Sequence, residues 1–298
     1  MLFRSGADLA AKSGPAGLPR NRMANRVNVN NVEIARRRRL AQTSGQATAV
    51  QNAGADTGTD DDAPLIAGLV GTGGGGLTAL IFAARQGDME SSRILLEAGA
   101  DVNQRSEYGW TPLLTAVQNR HYRLAAYLIE KGADVNAANK GQWTPLYVAT
   151  DNRNIEGGDF PVPKPDMDHL DFIRMLLERG AQANARNKDN TGSRTIFTMP
   201  WLEEGGATPF LRAAQSSDVE LMRLLLSFGA DPLLSSDYGD TALSAAAGIG
   251  WVDGVTYEWS REANIEAIKM LLDLGLDPNS ANKDGRTPLM AAALKGRN

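Results

Sequence analysis

Few residues in this 298-residue chain are of a type and spacing that could do chemistry. The run GTGGGGLT at 71–78 has the glycine density of a phosphate-cradling loop. A phosphate loop also needs a following Lys-Ser/Thr and a preceding strand, and both are missing, so the run reads as a flexible linker. From Asn187 the letters NKDNTGSRTIFT place Asn, Asp, Thr and Gly at offsets one, three, five and six of a calcium loop. The twelfth place holds Thr198 instead of a bidentate Glu, which leaves calcium poorly held and favours an inserted turn. Asp60 to Asp62 form a carboxylate run that reads as solvated linker, and Arg36 to Arg39 form a basic run without the interleaved aromatics that single-strand binding uses. His121 and His169 are the only histidines, and there is no cysteine. With no third ligand and no paired base, neither zinc chemistry nor a nucleophilic triad is expected.

The apolar content of 42% allows an ordinary core, the formal charge of −4 and pI near 5.4 argue against a polyanion as main partner, and no stretch approaches a membrane span or a signal-peptide core. Charge divides unevenly: residues 1–63 carry net +3 and the rest −7. The early part is poor in aromatic and branched apolar residues and offers too little apolar area to offset the entropy of ordering. Residues 9–76 are therefore expected to be mostly disordered, with a short helix at NVEIARRRRLAQ.

From residue 78 a repeat takes over. A Thr opening "T-P/A-L/F" recurs at Thr78, Thr111, Thr144, Thr208, Thr241 and Thr287, spaced by 33, 33, 64, 33 and 46 residues. A Gly recurs at Gly99, Gly132, Gly180, Gly229 and Gly275, and the register implies a 33-residue unit interrupted by insertions of 15, 16 and 13 residues. Each unit reads as helix, turn, helix and an extended finger. The Thr can cap the first helix, with Pro112, Pro145, Pro209 and Pro288 at the first helical position, where a missing N–H is harmless. The second helix carries stripes such as RILLE, AYLIE, RMLLE, RLLLS or KMLLD and stops at a glycine suited to the left-handed position. One helix pair cannot bury both of its faces, so the pairs must stack.

The unit YGWTPLLTAVQNRHYRLAAYLIEKGADVNAANK resembles the ankyrin repeat family, in its bacterial type, and the resemblance covers residues 78–298. It implies an all-α repeat: a solenoid of stacked helix-turn-helix units with β-hairpin fingers, here preceded by the largely disordered segment. Two domains are expected, residues 1–76 and an array at 77–298 with units starting near 78, 111, 144, 208, 241 and 287 and insertions near 152–168, 187–204 and 249–262. The family's His after TPL is absent, its place taken by Ile81, Leu114, Tyr147, Leu211, Ser244 and Met290, and Gln142 replaces a finger glycine. The chain opens with LFRSGADLAAK, like the tail of an earlier unit, and stops one helix into a sixth, so a longer parent chain is expected.

The family's role is protein recognition by finger tips and inner helices. Its variable contact positions carry over to Glu107, Tyr108, Trp110, Gln118, Asn119, Lys140, Trp143, Asp151, Asn152, Gln215, Tyr238 and Asp240. Aromatics gather on protruding segments: Trp110 and Trp143 in fingers, and Phe160, Phe197, Trp201, Trp251, Tyr257 and Trp259 in insertions, either as anchors at an interface or folded back to cover the helix ends. The 15- and 13-residue insertions both separate first helix from second, which puts them on the edge away from the fingers and close enough to share one patch. The function expected is a monomeric, non-enzymatic scaffold for a protein partner, with no cofactor or metal, no nucleic acid and no membrane insertion. The alternative is the targeting module of a larger enzyme or effector. The compartment is open, cytoplasmic or exported if a missing N-terminus carries a signal peptide.

Overall fold

A computed structural model describes residues 8–13, 75–154, 164–188, 205–251 and 257–296. The expectations for Arg36–Arg39, Asp60–Asp62, the glycines before Gly75, the calcium-like loop beyond Lys188, and Phe160, Phe197 and Trp201 lie outside these residues, as does most of the segment expected to be disordered.

The described residues hold helices in pairs. The inner members are α1 (Ala79–Gln86), α3 (Pro112–Gln118), α5 (Pro145–Arg153), α7 (Pro209–Gln215), α9 (Ala242–Ala247) and α11 (Pro288–Leu294). The outer members are α2 (Met89–Glu97), α4 (Tyr122–Glu130), α6 (His169–Glu178), α8 (Val219–Ser227) and α10 (Arg261–Asp273). Inner helices pack side by side in chain order, and each outer helix packs on its own inner partner. The fold is the all-α repeat solenoid that the periodicity requires.

Every inner helix starts the same way. The Thr hydroxyl accepts the backbone N–H three residues on, at 3.4 Å from Thr78, 3.1 Å from Thr111, 3.2 Å from Thr144 and Thr208, 3.1 Å from Thr241 and 3.4 Å from Thr287. One of the orphan donors of each helix start is thereby satisfied. The residues at the missing-His position supply these N–H groups whatever their side chains. Small residues then bring the helices together: Ala84, Ala116, Ala149, Ala213, Ala214, Ala245 and Ala246 are all buried. One apolar cluster runs without a break from Ala84 through Leu146, Phe172 and Phe210 to Leu271 and Ala291.

Between units the chain makes short hairpin fingers, each with a backbone bond across its base: Ser106 N–H to Trp110 O at 3.0 Å, Asn139 to Trp143 at 3.2 Å, Ser236 to Asp240 at 2.8 Å and Asn282 to Arg286 at 3.1 Å. Neighbouring fingers are joined by a further bond, as from Lys140 N–H to Tyr108 O at 3.0 Å and from Lys283 N–H to Tyr238 O at 3.0 Å. Among the described residues these hairpins are too short for a strand ladder. Gly109 needs its left-handed φ of 86°, and a Cβ there would come within 3.2 Å of the Asn139 backbone of the next finger. Gln142 adopts the same region at φ 61° without being glycine, a strained choice.

A second ladder staples the far ends of the units. Asn103 donates to Gly132 O at 3.0 Å and accepts from Asp134 N–H at 2.8 Å. Asn136 does the same to Gly180 and Gln182, and Asn184 to Gly229 and Asp231. At the equivalent place in the next unit stands Leu233, 61% exposed. Leu233→Asn should extend the ladder to the fifth unit and raise stability by about 1 kcal/mol, read as a melting temperature a few degrees higher; an unchanged or lower midpoint would show that the staple carries no weight there.

Candidate partner-binding surface

The finger and inner-helix positions divide sharply by burial. Glu107 and Lys140 are exposed at finger tips, Tyr108 and Tyr238 are half-buried on finger sides, and Gln118 and Asn119 are half-exposed at the end of α3. Tyr238 Oη donates to Asp284 Oδ1 at 2.5 Å, and Asn119 Nδ2 donates back to Thr115 O at 2.8 Å.

The other six sit inside. Trp110 is buried and Trp143 is 0% exposed, its ring 4.8 Å from that of Tyr147 in an edge-on contact. Both precede the capping Thr directly, where the chain turns into the stack, and this corrects their reading as projecting anchors. Asp240 is buried and accepts from Asn282 Nδ2 at 2.9 Å. Asp151, Asn152 and Gln215 are buried too. Asp151 belongs to an ion pair, Arg212 Nε to Asp151 Oδ1 at 2.6 Å, and Asn152 Nδ2 donates to Val117 O at 2.8 Å. Gln215 Oε1 and Gln118 Oε1, at the same helix position in two units, are buried oxygens with no hydrogen-bond partner.

The ends of the inner helices are joined by a polar belt that the repeat pattern does not announce. Arg212 also donates to Ser216 Oγ and to Asn154 O, both at 2.9 Å. Arg120 donates to Asn152 O at 2.9 Å, and Asn264 Nδ2 reaches Ser217 Oγ and Ala246 O at 2.8 Å. Arg153 Nε donates to Asp218 Oδ2 at 2.7 Å, its second arm reaching Glu220 at 3.2 Å. The one sequence hint was a charged residue inside the otherwise apolar FLRAA of α7.

At the described end of the 13-residue insertion, Trp259 meets the C-terminal end of α5. Trp259 stacks over the Arg153 guanidinium at 4.5 Å, and its Nε1 donates to Asn154 Oδ1 at 2.9 Å. The ring is still 42% exposed. Lys295 Nζ pairs with Glu258 Oε1 at 2.5 Å.

The two histidines have packing roles. His121 Nε2 lies 3.3 Å from Arg85 O. His169 opens α6, with Nδ1 2.8 Å from Tyr122 Oη. Burial pushes the Tyr122 phenol well above its usual range, so the phenol stays protonated and donates. Burial, with the charges of Arg120 and Arg153 and against that of Asp168, lowers His169 to about 4. Among the described residues no three His, Asp or Glu side chains gather as a metal site, and no helix is long and apolar enough to cross a membrane.

Two outcomes follow. Removing one partner of a buried ion pair strands the other, so Asp151→Ala should lower stability by about 3–5 kcal/mol, and Asp151→Leu with Arg212→Met should recover most of it; denaturant titration decides, and a loss below about 1 kcal/mol for the single change would contradict the pair's place in the belt. For His169, the folded form resists a proton that the unfolded chain accepts. Stability should therefore be complete above pH 6.5 and fall as pH drops from there to about 4, and His169→Gln should flatten the fall; an equal slope in the variant would assign it to other groups.

Comparison with known proteins places this geometry. Profiles described as ankyrin repeats match residues 41–139 and 80–187, 205–237, and 260–298. The chain is 39% identical over 79 residues to an ankyrin repeat and LEM domain-containing protein 1 homolog of Caenorhabditis elegans, covering 26% of this chain and 9% of that protein. It is 35% identical over 85 residues to a 2-5A-dependent ribonuclease of Homo sapiens, covering 28% and 9%. The stretches matched are thus less than a tenth of either curated relative. Among solved structures, an ankyrin repeat domain from Acinetobacter baumannii AYE superposes with a TM-score of 0.53 at 28% identity, covering 73% of this chain and 91% of that one. With six capped inner helices in register and finger hairpins between them, the chain belongs to the ankyrin repeat family.

Proposed function

We propose that this chain is a non-catalytic scaffold that holds a partner protein along its finger row and the adjoining inner-helix ends. Ankyrin repeats are protein-interaction modules, and the array offers a repeated surface. The observation that carries the proposal is the finger row itself, with Glu107 and Lys140 exposed at the tips and Tyr108 and Tyr238 half-buried on the finger sides. Asp151 is paired with Arg212, so the inner-helix ends carry no uncompensated negative charge there. Tyr108 and Tyr238 on finger sides supply the amphipathic contact area favoured at interfaces, and Lys140 at an exposed tip supplies steering charge.

Trp110, Trp143, Asp151, Asn152, Gln215 and Asp240 act through the rigidity they give the surface, because their side chains are buried. A second reading is favoured by one observation. The matched stretches are small parts of much longer relatives, one of them named a ribonuclease, so this array would be the recruiting module of a larger enzyme or effector.

Alanine at Tyr108, Lys140 and Tyr238 together should weaken the captured partner more than tenfold while the melting temperature stays within a few degrees of wild type. The affinity is measured by titration calorimetry on the partner recovered with the unaltered chain. Retained affinity would move the contact surface off the fingers, with the exposed Trp259 edge as the next place to look.

A further inference from the structure

The first finger of the array is built from two pieces of chain. The structure assigns residues 8–13 and 75–78 to a single finger, so that residues 14–74 are an insertion at its tip and not a leader ahead of the array. The assignment rests on described residues alone, through five hydrogen bonds that repeat those of the intact fingers.

Asp8 Oδ1 accepts Ala10 N–H at 2.9 Å, as Asp101, Asp134, Asp231 and Asp277 accept from the residue two further on. Five residues after Asp8, Ser13 N–H donates to Leu77 O at 2.9 Å; five residues after Asp101, Ser106 N–H donates to Trp110 O at 3.0 Å. Ser13 Oγ accepts Leu77 N–H at 3.0 Å, as Ser106 Oγ accepts Trp110 N–H. Gly76, at φ 74°, donates to Ser13 O at 3.2 Å, matching Gly109 on Ser106 O. Finally, Glu107 N–H donates to Gly75 O at 3.0 Å, the same finger-to-finger bond that Lys140 makes to Tyr108 O, Lys188 to Gly141 O, Asp237 to Gly205 O and Lys283 to Tyr238 O. Below these bonds Leu9 packs on the cluster of Leu80, Ala83 and Leu95.

In an intact finger two residues, Glu107 and Tyr108, separate the Ser from the Gly. In the first finger residues 14–75 fill that gap. The cost of closing a loop grows only with the logarithm of its length, so a long insertion adds little over a shorter one. The finger after the third unit uses the same device on a smaller scale. There Asn187 N–H donates to Ala207 O at 3.1 Å and Gly206 N–H to Asn187 O at 2.8 Å, across an insertion of 16 residues. Glu107 changes role in consequence. Its carboxylate accepts Gly75 N–H at 2.9 Å, making it a positioning residue for the second root of the insertion. The boundary expected at residue 76 gives way to an array that already includes Asp8. On the binding reading proposed above, both roots lie in the row that faces the partner.

The test needs no partner, so its failure and the failure of the binding reading are distinct. Excising residues 15–74 leaves Ser13-Gly14-Gly75-Gly76-Leu77, the spacing of Ser106 to Trp110. The excised chain should unfold in one transition with a midpoint at or above that of the full chain, and should keep slow amide exchange in α1 and α2. In the full chain, Leu9→Asp should speed exchange over α1 and α2 by about tenfold or more and leave α5 and α7 unchanged. A lowered midpoint with loss of α1–α2 protection in the excised chain, or unaltered exchange in Leu9→Asp, would overturn the assignment.

Discussion

A pair of short helices with apolar residues on both sides can bury one side against itself and must find a neighbour for the other. That constraint shapes everything in this chain. Leu113, Leu146, Phe210 and Leu243 occupy the same place in four successive units and are all buried, because each is covered by the unit that follows. Alanines at the crossing points let the inner helices approach, and a Thr cap starts each helix at the same height. Since stability is shared between neighbours, a residue that does not serve the seam is free to vary, and variation collects in fingers and insertions.

The polar belt is the second organising feature. Asp151, Asn154 and Ser216 are all buried and all bonded to the buried Arg212, which joins α5 to α7 by directional contacts on top of apolar packing. Such a belt is costly if half satisfied, so it fixes the register between units more strictly than apolar packing does. It also anchors the insertion edge: Arg153 holds Asp218 on one side and the face of Trp259 on the other. The fingers and the insertion edge are thus two surfaces set by one rigid spine.

Local features of the fold were legible because they are local. The TPL motif marks a helix start through a hydroxyl reaching three residues ahead, and the Gly after LLE marks a helix end through a left-handed φ, 90° at Gly132 for instance. Burial of Trp143 was not legible, since a residue just before the cap can turn toward either face, and only the ring of Tyr147 beside it settles which. The Arg212–Asp151 pair spans 61 residues and two insertions, and the Tyr122–His169 contact spans 47, separations at which a single sequence carries no pairing signal. Asp151 looked like a variable surface position for that reason.

The shared seam is tested most directly by amide exchange in the native chain under increasing denaturant, resolved by residue. If neighbouring units hold one another, amides of Val148, Ala149, Ala213 and Ala214 in α5 and α7 will exchange only through global unfolding, at one common free energy, and those of α1 and α11 will open earlier. Exchange in which each unit opens at its own free energy, without regard to its place in the stack, would contradict the account.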